Sequence, residues 1–216
     1  MPRDIFQYIQ PSQYYVLLTF CMAVIFLRNK TRNNNLLLLI LLVCSINEVL
    51  STLLLYFGKD IGTLYSVSTF FHQSLWLLLL FTLIKNMKIF VAVFSTYFIF
   101  AATNFMLFEG SIAFNYSSFI IGAFLYLVAF IVASFRKLKE ENFGFFQANS
   151  FLLISAPVIF FFGMSFLFGF KSSAISQSKI VGNISLYQFI VSFVNIIYYS
   201  LINIYIFSEN KLKHGQ

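Results

Sequence analysis

The chain has 216 residues, of which 60% are hydrophobic and only 10% are charged, and its mean hydropathy is +0.86. Soluble proteins are roughly half apolar and a quarter charged, so this composition excludes a soluble domain and predicts an integral membrane protein. The net charge of +7 comes from 14 basic residues in short clusters between apolar runs, which argues against a nucleic-acid-binding face.

Seven apolar segments are candidates to cross a bilayer core about 30 Å thick, which takes roughly 20 helical residues. The first is short and needs Tyr14 and Tyr15 to cross. A cleaved signal peptide is its alternative, disfavoured because no small-residue cleavage pattern follows it. We therefore predict an all-α seven-transmembrane-helix bundle that forms one integral membrane domain over residues 1–216. The predicted spans are 14–27, 35–57, 62–84, 88–108, 112–135, 150–170 and 184–207, with longer connections only at 136–149 and 171–183.

Basic residues are distributed unevenly between the two sides of this predicted bundle. Loops rich in Lys and Arg favour the cytoplasm, so the richer side indicates the inside of the cell. The poorer side has Arg3, Lys59, Lys171 and Lys179. The distribution predicts an outer amino terminus and a cytoplasmic carboxyl terminus, with the basic loops beside anionic lipid headgroups. The richer side has Arg28, Lys30, Arg32, Lys85, Lys88, Arg136, Lys137, Lys139, Lys211 and Lys213.

Glu48 is the one of the seven acidic residues that falls deep inside a predicted span. A charged group inside hydrocarbon costs ~2.5 to 3.5 kcal/mol on insertion scales, so Glu48 is a candidate for function, with a structural role as the alternative. Ser45 and Thr52 share its helical face, because they stand three residues before it and four residues after it.

His72 lies near the middle of the third predicted span, with Gln73 beside it and Trp76 one helical turn later. The second and third spans are joined only by residues 58–61, so they should be antiparallel neighbours. This arrangement puts Glu48 and His72 at similar depth, and we expect a hydrogen bond between them.

Polar residues also line single faces of two other predicted helices. Tyr97 and Asn104 on the fourth span are seven residues apart, which returns them to the same face. Such residues most often join membrane helices through hydrogen bonds worth ~0.6 kcal/mol each, so a structural role stands beside a role in ligand binding or proton relay. On the seventh span the polar stripe is Gln188, Ser192, Asn195, Tyr199 and Asn203, with Asn195 central.

The residues argue against the familiar chemistries of membrane enzymes and cofactor proteins. A retinal protein needs a lysine near the middle of its last span, and the sequence has none between Lys179 and Lys211. A catalytic zinc site needs three protein ligands, yet His72 is the only histidine inside a predicted span. Gly163-Met164-Ser165 is not followed by a histidine within a span, so it is better explained by helix packing. We expect no enzyme, no catalytic residues, no metal and no cofactor.

Several short motifs resemble a group of small uncharacterised seven-span inner-membrane proteins of Bacteroidota. The resemblance covers nearly the whole chain, and it implies a location in the bacterial inner membrane. Many members of the group occur near sensor histidine kinases, which implies a sensory role and a signalling partner protein. The motifs are Asn47-Glu48, Ser68-Thr69-Phe70-Phe71-His72, Asn104-Phe105, Tyr116 with Ser117-Ser118-Phe119-Ile120-Ile121-Gly122, Phe160-Phe161-Phe162-Gly163, Phe168-Gly169-Phe170 and Asn195-Ile196-Ile197-Tyr198-Tyr199.

These features favour a sensory or signalling module that responds to a small apolar or lipid-like ligand or to protons. Its alternatives are a small proton-coupled transporter and a non-catalytic structural or assembly subunit of a membrane complex. The expected partners are the lipid bilayer and a signalling partner protein, with no nucleic acid. The candidate ligand-binding or proton-relay residues are Glu48, His72, Gln73, Asn104, Asn195 and Tyr199.

Overall fold

The computed structural model describes residues 11–27, 31–169, 178–181 and 184–214. The chain divides into two compact units, Met1–Gly122 and Ala123–Gln216, each of which is presented by itself below. The single domain over residues 1–216 stays a prediction. Outside the described residues lie Phe170, where the sixth predicted span ends, and Arg3, Arg28, Lys30 and Lys171, which were used for the orientation.

The described residues are mainly helical, with eight α-helices and one small hairpin. The fourth helix continues into a π-helical turn, Asn104–Phe108. Two short strands, β1 (Lys179–Val181) and β2 (Ile184–Ser185), pair in antiparallel orientation. The helices are α1 (Pro11–Phe26), α2 (Arg32–Tyr56), α3 (Gly62–Ile84), α4 (Met87–Thr103), α5 (Tyr116–Lys139), α6 (Phe143–Gln147), α7 (Asn149–Gly169) and α8 (Leu186–His214).

Within the described part of the chain, six helices are long and apolar enough to cross a membrane, as expected for a multi-pass membrane protein. They correspond to the second to seventh predicted spans. The first predicted span corresponds to α1, whose 16 residues are fewer than the roughly 20 that a perpendicular crossing needs. The count of seven spans and the orientation of the termini therefore stay predictions. The six helices are Arg32–Tyr56, Gly62–Ile84, Met87–Phe108, Tyr116–Lys139, Asn149–Gly169 and Leu186–Lys211.

The predicted start of the fifth span at residue 112 is wrong, because α5 begins at Tyr116. Residues 111–113 form a turn against the first turn of α3, where Gly62 has no side chain to keep that backbone away. Thr63 Oγ1 donates a hydrogen bond to the Ser111 carbonyl, and Ser66 Oγ donates one to the Ala113 carbonyl at 3.4 Å. The backbone of this turn, and not its apolar side chains, therefore makes the contact with α3, and Ile112 is exposed.

The last predicted span also differs at both ends, since α8 begins at Leu186 and continues to His214. Ser185 and Gln188 form a reciprocal capping box: each backbone N–H donates to the other's side-chain oxygen, both at 3.2 Å. The predicted connections at 136–149 and 171–183 contain regular structure as well, namely α6 and β1.

In the first unit, α2 packs against α3, as their short connection predicts, and α1 packs against α2. The connection turns at Gly58, whose φ of 66° lies in the left-handed region. Fully buried leucine and isoleucine side chains of α2 and the buried Trp76 and Leu77 of α3 form the core.

In the second unit, α7 packs against α8. Gly163 permits this contact, because a Cβ at that position would lie only 2.5 Å from Val194 Cγ2. Tyr126 of α5 donates a hydrogen bond of 2.7 Å to the Ile154 carbonyl, and its ring meets that of Phe161 edge-on at 5.1 Å. These contacts agree with the packing role that the sequence gives to Gly163.

Candidate functional site

Glu48 lies half-buried on α2 and has its polar neighbours on α1 and on its own helix. Its carboxyl group is hydrogen-bonded to the Gln13 side chain of α1. Thr52 Oγ1 lies 3.4 Å from Gln13 Oε1 and 3.0 Å from the Glu48 carbonyl oxygen, so one hydroxyl can donate to either acceptor. The predicted face with Thr52 is therefore part of a small polar cluster, of which sequence reasoning missed the buried member Gln13.

His72 is buried on α3, and Trp76 Nε1 donates a hydrogen bond of 3.1 Å to its Nε2 atom. Because an indole N–H only donates, this bond requires an unprotonated Nε2, which leaves the proton of a neutral imidazole on Nδ1. The predicted hydrogen bond between Glu48 and His72 stays a prediction.

Gln73 joins three helices of the first unit through its amide group. Its Nε2 atom donates a hydrogen bond of 2.8 Å to the carbonyl of Phe119 on α5, and its Oε1 atom accepts one of 2.5 Å from the hydroxyl of Tyr97 on α4. The side chains of Gln73 and Tyr97 are both almost fully buried. Gly122 makes room for the amide, since a Cβ there would lie 2.8 Å from Gln73 Cδ and closer still to Oε1.

Asn104 begins the π-helical turn at the end of α4, where the Glu109 N–H donates to the Asn104 carbonyl at 3.0 Å. Asn104 Nδ2 donates to Glu109 Oε2 at 2.7 Å and to Ser118 Oγ at 2.9 Å. Asn104 is buried, as is Tyr97, in agreement with the shared face predicted for them. π-Helical turns recur at functional sites in proteins, so this end of α4 is a candidate part of the functional site.

Glu109 holds the start of α5. Its Oε2 atom accepts a hydrogen bond of 3.1 Å from the Ser117 N–H, and its Oε1 atom accepts one of 3.1 Å from the Ser117 hydroxyl. A carboxylate at a helix N-terminus also interacts favourably with the helix dipole. Glu109 directly follows the predicted fourth span, 88–108, and this capping role could not be predicted, because Ser117 comes from the following helix.

A cavity of about 210 Å³ lies in the first unit beside these residues. Its walls are aromatic rings, small residues and methionine, with three polar side chains. No charged side chain lines it. The lining residues are Ser66, Val67, Phe70, Phe98, Ala101, Ala102, Phe105, Met106, Asn115 and Ser118.

Asn195 and Tyr199 belong to the second unit. Asn195 is half-buried, and its Nδ2 atom donates a hydrogen bond of 2.8 Å to the Val191 carbonyl of its own helix. Tyr199 is buried with its ring edge-on to Tyr198 at 4.8 Å. A common centre of these residues with Glu48 and His72 stays a prediction. Gln188, counted in the same polar stripe, caps α8 instead and is exposed.

Among the described residues, no three His, Cys, Asp or Glu side chains are placed to hold a metal ion. No known protein family, curated protein or solved structure matches the chain. The first unit holds the features that bear on function, because polar side chains join its helices around a small apolar cavity.

Proposed function

We propose that the chain is a seven-span protein of the bacterial inner membrane that works as a sensory or signalling module and not as an enzyme. Its amino terminus faces outward and its carboxyl terminus faces the cytoplasm. In this proposal it belongs to the Bacteroidota group that its motifs resemble, it responds to a small apolar or lipid-like ligand or to protons, and it passes the response to a signalling partner protein.

The observation that carries the proposal is the position of the cavity beside the hydrogen bonds of Gln73. Phe70 lines the cavity, and its ring stacks on that of Tyr97 with centroids 5.3 Å apart. Tyr97 in turn donates to Gln73, which reaches α5. A small apolar molecule in the cavity would contact Phe70, so its presence would change the packing at the junction of three helices.

Such a junction suits a signalling module because packed interfaces have discrete arrangements and do not deform continuously. A ligand shifts the balance between two arrangements only if it binds one of them better. The cavity supplies a place for such preferential binding, and Gln73 links that place to α3, α4 and α5.

The polar cluster of Glu48 supports the same proposal at a second position. Glu48 and Gln13 connect α2 with the short helix α1, which is the first of the seven proposed spans. Because an apolar pair would join two membrane helices at lower cost, the carboxyl group favours a role beyond packing. The burial of Gln13, which is not left to the lipid, also supports the proposal that α1 is a span.

The test is a reporter strain in which the genes beside the gene of this protein drive a measurable output. We expect Glu48→Gln and Gln73→Leu each to lower the signal-dependent output at least fivefold, with normal amounts of protein in the membrane. Glu141→Gln is the matched control, because Glu141 is exposed in the connection after α5. Unchanged output from both variants at normal protein levels would refute the sensory function.

A further inference from the structure

The cavity of the first unit has a size that limits its occupant. An apolar protein cavity of ~150 Å³ holds a benzene molecule, so about 210 Å³ is enough for about eight heavy atoms. The occupant is therefore a small molecule or one short segment of a larger one. Phe98 and Met106 line the cavity and are also exposed, so it opens at the surface of the described structure beside them.

The lining of the cavity selects for an uncharged molecule. Most of the wall is apolar, with the rings of Phe70, Phe98 and Phe105 as its largest parts. Transfer of a charge into such surroundings is strongly unfavourable without a partner of opposite charge, and the lining contains no ionisable side chain. An apolar, preferably aromatic, body fits these walls.

One polar atom in the lining has no hydrogen bond in the described structure. Asn115 is only 4% exposed, and its Oδ1 atom is buried without a partner there. The neighbouring polar side chains are engaged: Ser66 Oγ accepts from the Asn115 N–H at 3.0 Å, and Ser118 Oγ accepts from Asn104. Buried carbonyl oxygens are almost always hydrogen-bonded. Asn115 Oδ1 is closed off from the cavity as the amide stands, so the amide group has to turn towards the cavity before Oδ1 accepts a hydrogen bond from an occupant.

We propose that this cavity binds a small uncharged molecule with an aromatic or alkyl body and one hydroxyl group, which donates a hydrogen bond to Asn115 Oδ1. The hydroxyl group lies next to Asn115, just before the first turn of α5, and the apolar body lies among the phenylalanine rings. Phenols and short alcohols are the simplest members of this class. The biological meaning of the site rests on the proposed sensory function, for which this molecule would be the signal.

The experiment uses two probes that differ in the hydroxyl group alone. 4-Fluorophenol and 4-fluorotoluene each have eight heavy atoms, and the second has a methyl group in place of the hydroxyl. Binding to the full-length protein in lipid nanodiscs is followed by fluorine NMR, with empty nanodiscs as the reference for probe dissolved in lipid. We expect a protein-bound resonance for both probes and a dissociation constant about tenfold lower for 4-fluorophenol.

Two variants identify the site. Asn115→Leu introduces an apolar side chain of similar size and removes the acceptor, so it should abolish the tenfold preference for the phenol. Ala102→Leu fills the cavity and should abolish the bound resonance of both probes. Ala92→Leu, at an exposed position of the same helix, is the matched control and should bind like the unchanged protein. The fluorescence of Trp76, the only tryptophan, verifies that each variant is folded.

The outcomes separate this inference from the proposed function. The inference is overturned if no protein-bound resonance is found, if Ala102→Leu binds normally, or if both probes bind equally well before Asn115 is changed. A lost reporter response in Glu48→Gln, together with absent probe binding, would keep the sensory function and refute this ligand class. Normal probe binding, together with unchanged reporter output in Glu48→Gln and Gln73→Leu, would keep this ligand class and refute the sensory function.

Discussion

Replacement of Gly122 by alanine tests whether the hydrogen bonds of Gln73 hold the first unit together. Real Cβ atoms essentially never come within 3.0 Å of a non-bonded heavy atom of another residue, yet the new Cβ would lie 2.8 Å from both Gln73 Cδ and Tyr97 Cζ. It would lie even closer to Gln73 Oε1, the atom that accepts the hydrogen bond of Tyr97. The substitution must therefore push the amide away from Tyr97 and Phe119.

The size of the effect follows from these contacts. Overpacking of a buried site costs about 1–3 kcal/mol. Loss of two interhelical hydrogen bonds adds about 0.6 kcal/mol for each bond. The better helix propensity of alanine returns at most about 1 kcal/mol. We therefore expect Gly122→Ala to lower the free energy of unfolding by about 1–3 kcal/mol.

The assay is unfolding by sodium dodecyl sulfate in mixed micelles, followed by the fluorescence of Trp76 on the same helix as Gln73. Gly169→Ala is the matched control, because an added Cβ at Gly169 meets nothing within 4 Å. In a Gln73→Ser background the cost of Gly122→Ala should shrink, because the two Gln73 atoms that the Cβ meets are removed and only the contact with Tyr97 Cζ remains. If Gly122→Ala and Gly169→Ala agree within about 0.5 kcal/mol, the reasoning is refuted.

Three further predictions concern single polar groups. His72→Leu removes the acceptor of the Trp76 indole, so it should shift the tryptophan emission to shorter wavelength and lower the free energy of unfolding by about 0.6 kcal/mol; an unchanged emission spectrum would contradict this contact. Glu109→Gln removes a negative charge from the N-terminus of α5 and should cost about 0.3–1 kcal/mol in the same unfolding assay, whereas no loss would contradict the capping role. Hydrogen bonding from Lys137 helps to hold the pKa of Glu140 below its usual value. The interaction therefore stabilises the folded protein at a pH above the usual pKa of a glutamate, and this stabilisation is lost as the pH falls through the lowered pKa of Glu140. An NMR titration should therefore show the pKa of Glu140 rising in Lys137→Met, and an unchanged pKa would show that the contact is absent in solution.

The helices could largely be predicted because their signals are local. The third span was predicted at 62–84 and is observed as Gly62–Ile84. It ends where Lys85 adopts the left-handed conformation, with a φ of 58°. The fifth span was placed too early because Ile112 and its neighbours are as apolar as the helix that follows. Their contact with Gly62 is made across 50 residues of sequence, and hydropathy carries no information about it.

The candidate site was predicted only in part, because the sequence likewise carries no information about contacts between residues that are distant in the chain. Glu48 was singled out because a charged group inside the membrane is costly, and Gln73 because it lies beside His72 near the middle of the third predicted span. Their partners Gln13, Tyr97 and the Phe119 carbonyl could not be predicted in this way, because those groups come from other helices. Asn115 was missed altogether, because the fifth span was predicted to begin at residue 112, which placed Asn115 inside a helix and not in the turn before it.

The role of Glu48 can be separated from that of an ordinary contact between helices by the choice of substitution. A glutamine at this position keeps the length of the side chain and a group that can hydrogen-bond to Gln13, but it can neither ionise nor carry a proton away. A leucine removes the hydrogen bond as well. If Glu48 only joins α1 to α2, Glu48→Gln should be silent in the reporter, and Glu48→Leu should reduce only the amount of protein. If the carboxyl group itself takes part in the response, Glu48→Gln should lose the response at normal protein levels, because the contact is kept while the ionisable group is gone.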